Sequence, residues 1–132
     1  MQKARYRFEA YAVSQPKGEN VMNLDLVNEI NQKCNQLNSQ IEQLDKTGRA
    51  YAEAYTEYRV ALAKELVKLK DEGFAISLAG DIARGKPEIA RLKFKEISTE
   101  AIYKANIESI NAIKLQIKIL DAQVEREWSR NE

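Results

Sequence analysis

Eleven residues space themselves along one face of a single long segment. Val27, Ile30, Cys34, Leu37, Ile41, Leu44, Gly48, Tyr51, Tyr55, Tyr58 and Leu62 follow one another at alternating steps of three and four. That rhythm is the a/d repeat of a heptad, and it puts the whole set on one stripe of an α-helix. The residues between are mostly Asn, Gln, Glu, Lys, Asp and Arg, as a solvated face requires. No proline interrupts the run. Such a helix is roughly 65–70 Å long at about 1.5 Å per residue. It cannot bury its stripe on itself, so the chain must supply a second helix or a second copy.

The spacing predicts a helix over about 23–71, with Asn23 as N-cap and Gly73 as the residue that ends it. Gly48 falls on the stripe. Its cost of about 1 kcal/mol is smaller than the packing around it, so the helix is expected to run through. A connector over about 74–86 follows, too apolar for a free loop. Ser77 is expected to cap a short helix there, closed by Gly85, with Phe74, Ile76, Leu78 and Ile82 covering the open end of the helix pair. Pro87 suits the first turn of another helix, over about 87–129. Its expected inner residues are Ile89, Leu92, Ile97, Tyr103, Ile110, Ile113, Ile117, Leu120 and Val124. Ile107, Leu115 and Ile119 widen that face beyond one neighbour. Asn106 sits near the seam, where a polar residue can fix register.

The expected fold is therefore all-α: an antiparallel helical hairpin, or coiled coil, with a short capping helix at the bend. A lone hairpin has little core for its surface. A homodimer in which two hairpins form a four-helix arrangement is the natural remedy. Residues 1–22 form an arm and linker ahead of the hairpin over 23–132. Over 3–13, Ala4, Tyr6, Phe8, Ala10 and Ala12 alternate with Lys3, Arg5, Arg7 and Glu9, which reads as a short extended strand.

Composition narrows the chemistry. Histidine is absent and Cys34 is the single cysteine. A Cys–His nucleophile pair is impossible, and a structural zinc site is effectively excluded. Cys34 cannot form an intramolecular disulfide and reads as a small buried hydrophobe. The carboxylates are scattered among lysines, and none stands apart in an apolar setting that would suit acid–base work. Glu65, on the stripe, comes nearest, and a shift of register explains it better. The stretch from Gly80 to Lys86 lacks the spacing, the preceding strand and the following Ser/Thr of a phosphate loop. No catalytic, cofactor or metal residue is expected, and the chain is not read as an enzyme. No secretory leader or membrane span is legible, so a cytoplasmic protein is expected.

Net charge is +1, from 21 basic and 20 acidic side chains, so only local patches bear on partners. One is Arg84, Lys86, Arg91, Lys93 and Lys95 at the bend. The other is Lys3, Arg5 and Arg7, with Tyr6 and Phe8 interleaved. Basic and aromatic residues in alternation are what a single-strand binder shows. Ordinary solvated charge, paired at i±3 or i±4, is the alternative. Lys3, Arg5, Tyr6, Arg7, Phe74, Arg84, Lys86, Arg91, Lys93 and Lys95 are the expected contacts for a protein partner or, alternatively, for nucleic acid.

A family resemblance enters at the bend. The run from Leu66 to Gly73, the cap Asp81-Ile82-Ala83-Arg84-Gly85, then Ile89-Ala90 and Phe94, Ala101-Ile102-Tyr103-Lys104, Glu108-Ser109-Ile110 and Glu125-Arg126-Glu127-Trp128 carry it. This pattern resembles small proteins encoded in the early region of temperate phages of low-GC Gram-positive bacteria. The likeness covers roughly residues 50–128. Where this chain has Ala75, proline or another turn former is expected. Such proteins often sit beside single-strand annealing and single-strand-binding genes. The resemblance implies an accessory protein in the bacterial host cytoplasm that binds and modulates a protein of DNA replication, recombination or host defence. It transfers no catalytic residue. A purely structural coiled-coil oligomer is the third reading.

Overall fold

The structure, a computed structural model, describes residues 21–130, and side chains from 24 onward. The extended strand expected over 3–13, with Lys3, Arg5, Tyr6 and Arg7, lies outside the described residues. Three helices make up the rest: α1 (Val21–Asp71), α2 (Ile76–Gly85) and α3 (Pro87–Arg130). No strand occurs among the described residues, and the fold is all-α.

α1 runs through Gly48 without a break. Its first described residues, Val21 and Met22, were expected in the linker, and Asn23 is inside the helix and not its cap. An asparagine inside a helix costs a fraction of a kcal/mol. The adjacent buried residues Leu26, Val27 and Ile30 outweigh that. At the other end Gly73 takes φ +98°, and the chain closes a Schellman motif. The Phe74 N–H donates to the Leu69 carbonyl at 3.2 Å and the Gly73 N–H to the Lys70 carbonyl at 3.0 Å.

α2 opens at Ala75, not at Ser77. Ala75 holds φ −62° and ψ 145°, and its carbonyl accepts the Ala79 N–H at 2.8 Å. No side chain caps this end, so the backbone alone nucleates the turn. Lys86 serves two helices at once. Its N–H donates to the Ala83 carbonyl at the close of α2, and its carbonyl accepts the Ala90 N–H as α3 begins. It is extended, as a residue before proline must be. Pro87 then occupies the first helical position, where its missing N–H costs nothing.

The contacts divide into two units, one of residues up to Leu44 with those from Asn106 on, the other of 45–105. In the first, Leu26, Ile30, Cys34 and Leu37 of α1 pack with Ile110, Ile113, Ile117 and Val124 of α3. Asn106 is buried, and its side-chain amide donates to the Gln40 backbone carbonyl at 3.0 Å and to Gln40 Oε1 at 3.1 Å. In the second, Tyr58, Leu62 and Leu69 of α1 pack with Ala79 and Ala83 of α2 and Ile89 of α3. There the partners run in opposite order: Gly48 meets Tyr103, Glu57 meets Lys95, and Glu65 meets Lys86.

Three expectations about the core are corrected. Tyr55 is 45% exposed while Ala54 is fully buried. A methyl lets a neighbouring helix come close. The Tyr55 ring goes to the rim, edge-on to Tyr51 at 6.4 Å. On α3, Ile97 is 55% exposed and Glu96 is buried. Positions 89, 92, 96, 99, 103, 106, 110, 113, 117, 120 and 124 form an unbroken three–four rhythm, which the choice of Ile97 had broken. On α2 the inward residues are Ala79, Gly80 and Ala83. Ile82 packs against the core as expected, but Phe74, Ile76 and Leu78 are exposed, Ile76 at 73%.

Candidate functional site: the end of the second unit

The second unit ends in α2 and the flanking turns of α1 and α3. These carry Phe74 and the five cations singled out in the sequence. Phe74, Arg84, Arg91, Lys93 and Lys95 are on the surface and Lys86 is half-buried. Three of the cations are already committed. Lys86 pairs with Glu65, whose side chain is only 18% exposed. Lys93 Nζ lies 3.0 Å from Glu96 Oε2 and 4.8 Å from the centre of the Tyr58 ring, so a buried carboxylate and an aromatic face share it. Lys95 reaches Glu57 at 3.3 Å. Arg84 turns back along its own helix, where a Cβ built on Gly80 would meet its Nη1 at 2.9 Å. Arg84 and Arg91 make no ion pair among the described residues.

These pairs set local protonation. The Lys86 ammonium, by its hydrogen bond, holds the Glu65 carboxyl below the usual range, and Glu65 in turn pushes Lys86 up. Glu96 raises Lys93, and Glu100 raises Lys104. Each shift favours the charged form, which suits structural ion pairs and not proton transfer. Burial pushes the Cys34 thiol up, toward the unreactive protonated form. Among the described residues no group of three or more Cys, Asp or Glu is placed to hold a metal ion. No helix there is long and apolar enough to cross a membrane.

Sequence reasoning missed the apolar side of this end. The last third of α1 carries an outward row, Val60, Ala63 and Val67, with Val60 47% and Val67 61% exposed. It runs into a shallow groove of about 190 Å³ lined by Leu66, Val67, Lys70, Ile76 and Ala79. The available signal was a second three–four spacing beside the first one, hidden because the dominant seam had claimed the helix. Asp121 was missed as well: its Oδ1 is buried and finds no hydrogen-bond partner among the described residues. Its neighbours Lys118 and Glu125 made it look like ordinary surface charge.

No family model, no curated protein and no solved structure matches this chain.

Proposed function

We propose that the chain is an antiparallel helical hairpin that acts by binding another protein, through the end formed by α2 and the adjoining turns of α1 and α3. The observation that carries this reading is the orientation of α2. Its small residues are buried and Ile82 packs on the core, but Ile76 and Leu78 stand at 73% and 51% exposure, with Phe74 exposed just before the helix. A connector needs none of that surface. Exposed apolar side chains beyond what a connector needs are the mark of an interaction site. The molecule works by contact and performs no chemistry of its own. In the setting that the resemblance implies, its partner is a phage or host protein of DNA replication, recombination or defence.

The nucleic-acid reading is weaker, because Lys86, Lys93 and Lys95 each already face a carboxylate. Labelled single-stranded and duplex DNA, followed by anisotropy at low and physiological salt, separates the two. Protein recognition predicts no DNA binding at physiological salt. Binding that persists there, falls steeply with added salt and vanishes with Arg84→Glu/Arg91→Glu would replace the proposal. In affinity capture from a bacterial lysate, Ile76→Asp/Leu78→Asp should lose the partner that the unaltered chain retains.

The chain is further proposed to work as a homodimer. In the first unit Ala112, Leu115, Ile119 and Ala122 make an outward row on α3 at steps of three and four, with Leu115 59% and Ile119 56% exposed. A row of that spacing is what a second helix packs against.

A further inference from the structure

The groove at the end of α1 has a definite chemistry. Its apolar row, Val60, Ala63 and Val67, is flanked by Arg59 and Lys64, and Lys70 lines the groove itself. All three cations are exposed, and none makes an ion pair among the described residues. The cause is visible in the sequence. Arg59 has Tyr55, Thr56, Leu62 and Ala63 at i±3 and i±4, and Lys64 has Val60, Ala61, Val67 and Lys68. Neither has a carboxylate within helical reach. The contrast with Lys86, Lys93 and Lys95, each matched to a glutamate, is sharp.

We infer that this groove takes an acidic amphipathic helix of a partner protein. The claim rests on the protein-binding reading above and names the class of partner. Spacing fixes the shape of the ligand. A row at 60, 63 and 67 offers holes to apolar side chains repeating at i, i+3/i+4 and i+7 on an incoming helix. The groove between Val67, Lys70 and Ile76 takes one large anchor, since a volume of this order holds a benzene-sized group. Charge fixes the flanks: Glu or Asp beside the apolar stripe meets Arg59, Lys64 and Lys70. A second copy docked by the same face would set these three cations against another patch of the same sign, which favours an acidic partner over a copy. Nucleic acid fits poorly, because the row is aliphatic and offers bases no ring to stack on. A flat anionic lipid surface satisfies the charges but leaves the concave groove unfilled.

The test uses the full chain and three probes. One is a labelled peptide of about four helical turns, with leucines at heptad spacing and glutamates on both flanks. The second has lysines in place of the glutamates. The third is vesicles of phosphatidylcholine with phosphatidylserine. The acidic peptide should bind at least ~10-fold tighter than the basic one, a difference of about 1.4 kcal/mol. Val67→Asp should weaken it by roughly tenfold or more, as loss of a buried apolar anchor does. Lys64→Glu/Lys70→Glu should reverse the preference between the peptides. All three positions are exposed, and circular dichroism checks that helix content is unchanged. Equal binding of the two peptides, indifference to Val67→Asp, binding of vesicles in preference to peptide, or a change of mass on Val67→Asp in light scattering each overturns the inference. The two readings fail separately. Loss of peptide binding with capture through Ile76 and Leu78 intact removes only the acidic helix. Failure to capture any protein, together with DNA binding at physiological salt, removes the protein-binding reading itself.

Discussion

Glu65 shows how one residue holds both a stability and a pH consequence. A glutamate on a heptad stripe is tolerable only with a partner, and Lys86 supplies it from the junction of α2 and α3. Because its folded pKa is lowered, the stability Glu65 contributes is present above about pH 4.3 and is lost as pH falls through the folded value. Lys86 is raised, so its contribution is full below about pH 10.4 and lost as pH climbs through its folded value. Between these limits the pair adds no pH dependence. In urea melts, Glu65→Gln should therefore shrink the stability difference between neutral and acid pH. An unchanged difference would assign the acid limb to other carboxylates. Gly73 is the other decisive residue. At φ +98° a Cβ is strained whatever space surrounds it. Gly73→Ala should cost about 1–2 kcal/mol, read as a lower midpoint in thermal melts. Gly48 is a different case. A Cβ there meets Tyr103 Cε2 at 3.2 Å, while alanine gains about 1 kcal/mol of helix propensity. Those effects oppose, so Gly48→Ala should be nearly neutral and a larger side chain destabilising.

At the scale of the element, each helix end has its own cause. α1 stops at a glycine, α2 starts on backbone alone, and α3 starts at a proline. Ala75 holds φ −62°, which is proline's own value, and its N–H makes no backbone hydrogen bond outside the helices. Ala75→Pro should thus stabilise by roughly 0.4–1 kcal/mol by restricting the unfolded chain. A lower melting temperature would mean that Phe74 cannot accept a following proline. α3 gives a second check. Ile97 is exposed and Ile110 buried although both are isoleucines of one helix. Ile97→Gln should stay within about 0.5 kcal/mol of the unaltered chain, and Ile110→Ala should cost about 2–5 kcal/mol. Equal costs would mean that α3 buries its other face as well, for instance in an assembly.

At the scale of the whole molecule, the described residues form two apolar clusters and leave large aliphatic side chains outside both. A small helical protein gains most by covering such rows, since burying an aliphatic side chain contributes about 1.5–3 kcal/mol. Light scattering should therefore report twice the chain mass, and Leu115→Lys/Ile119→Lys should halve it with helix content retained in circular dichroism. A monomeric unaltered chain would remove the dimer and leave the α3 row as simple surface.

The sequence by itself determined the helices. A heptad rhythm without proline, a glycine after Glu72 and a proline after Lys86 are local signals, and local hydrogen bonding and backbone sterics answer to them. It also excluded histidine chemistry, which is a matter of inventory. The tertiary structure decided which of two adjacent positions faces inward. The rhythm allowed Tyr55 or Ala54, Ile97 or Glu96, and Leu78 or Ala79, and hydrophobicity favoured the larger residue each time. Packing chose the smaller or the charged one, because close approach needs small side chains and a buried Glu96 finds Lys93 beside it. The same choice turned the large apolar residues outward. The cations at the bend followed suit: only the fold shows that Glu65 and Glu57, 21 and 38 residues away in sequence, hold Lys86 and Lys95. The exposed apolar surface was therefore illegible until the interior had taken what it needed.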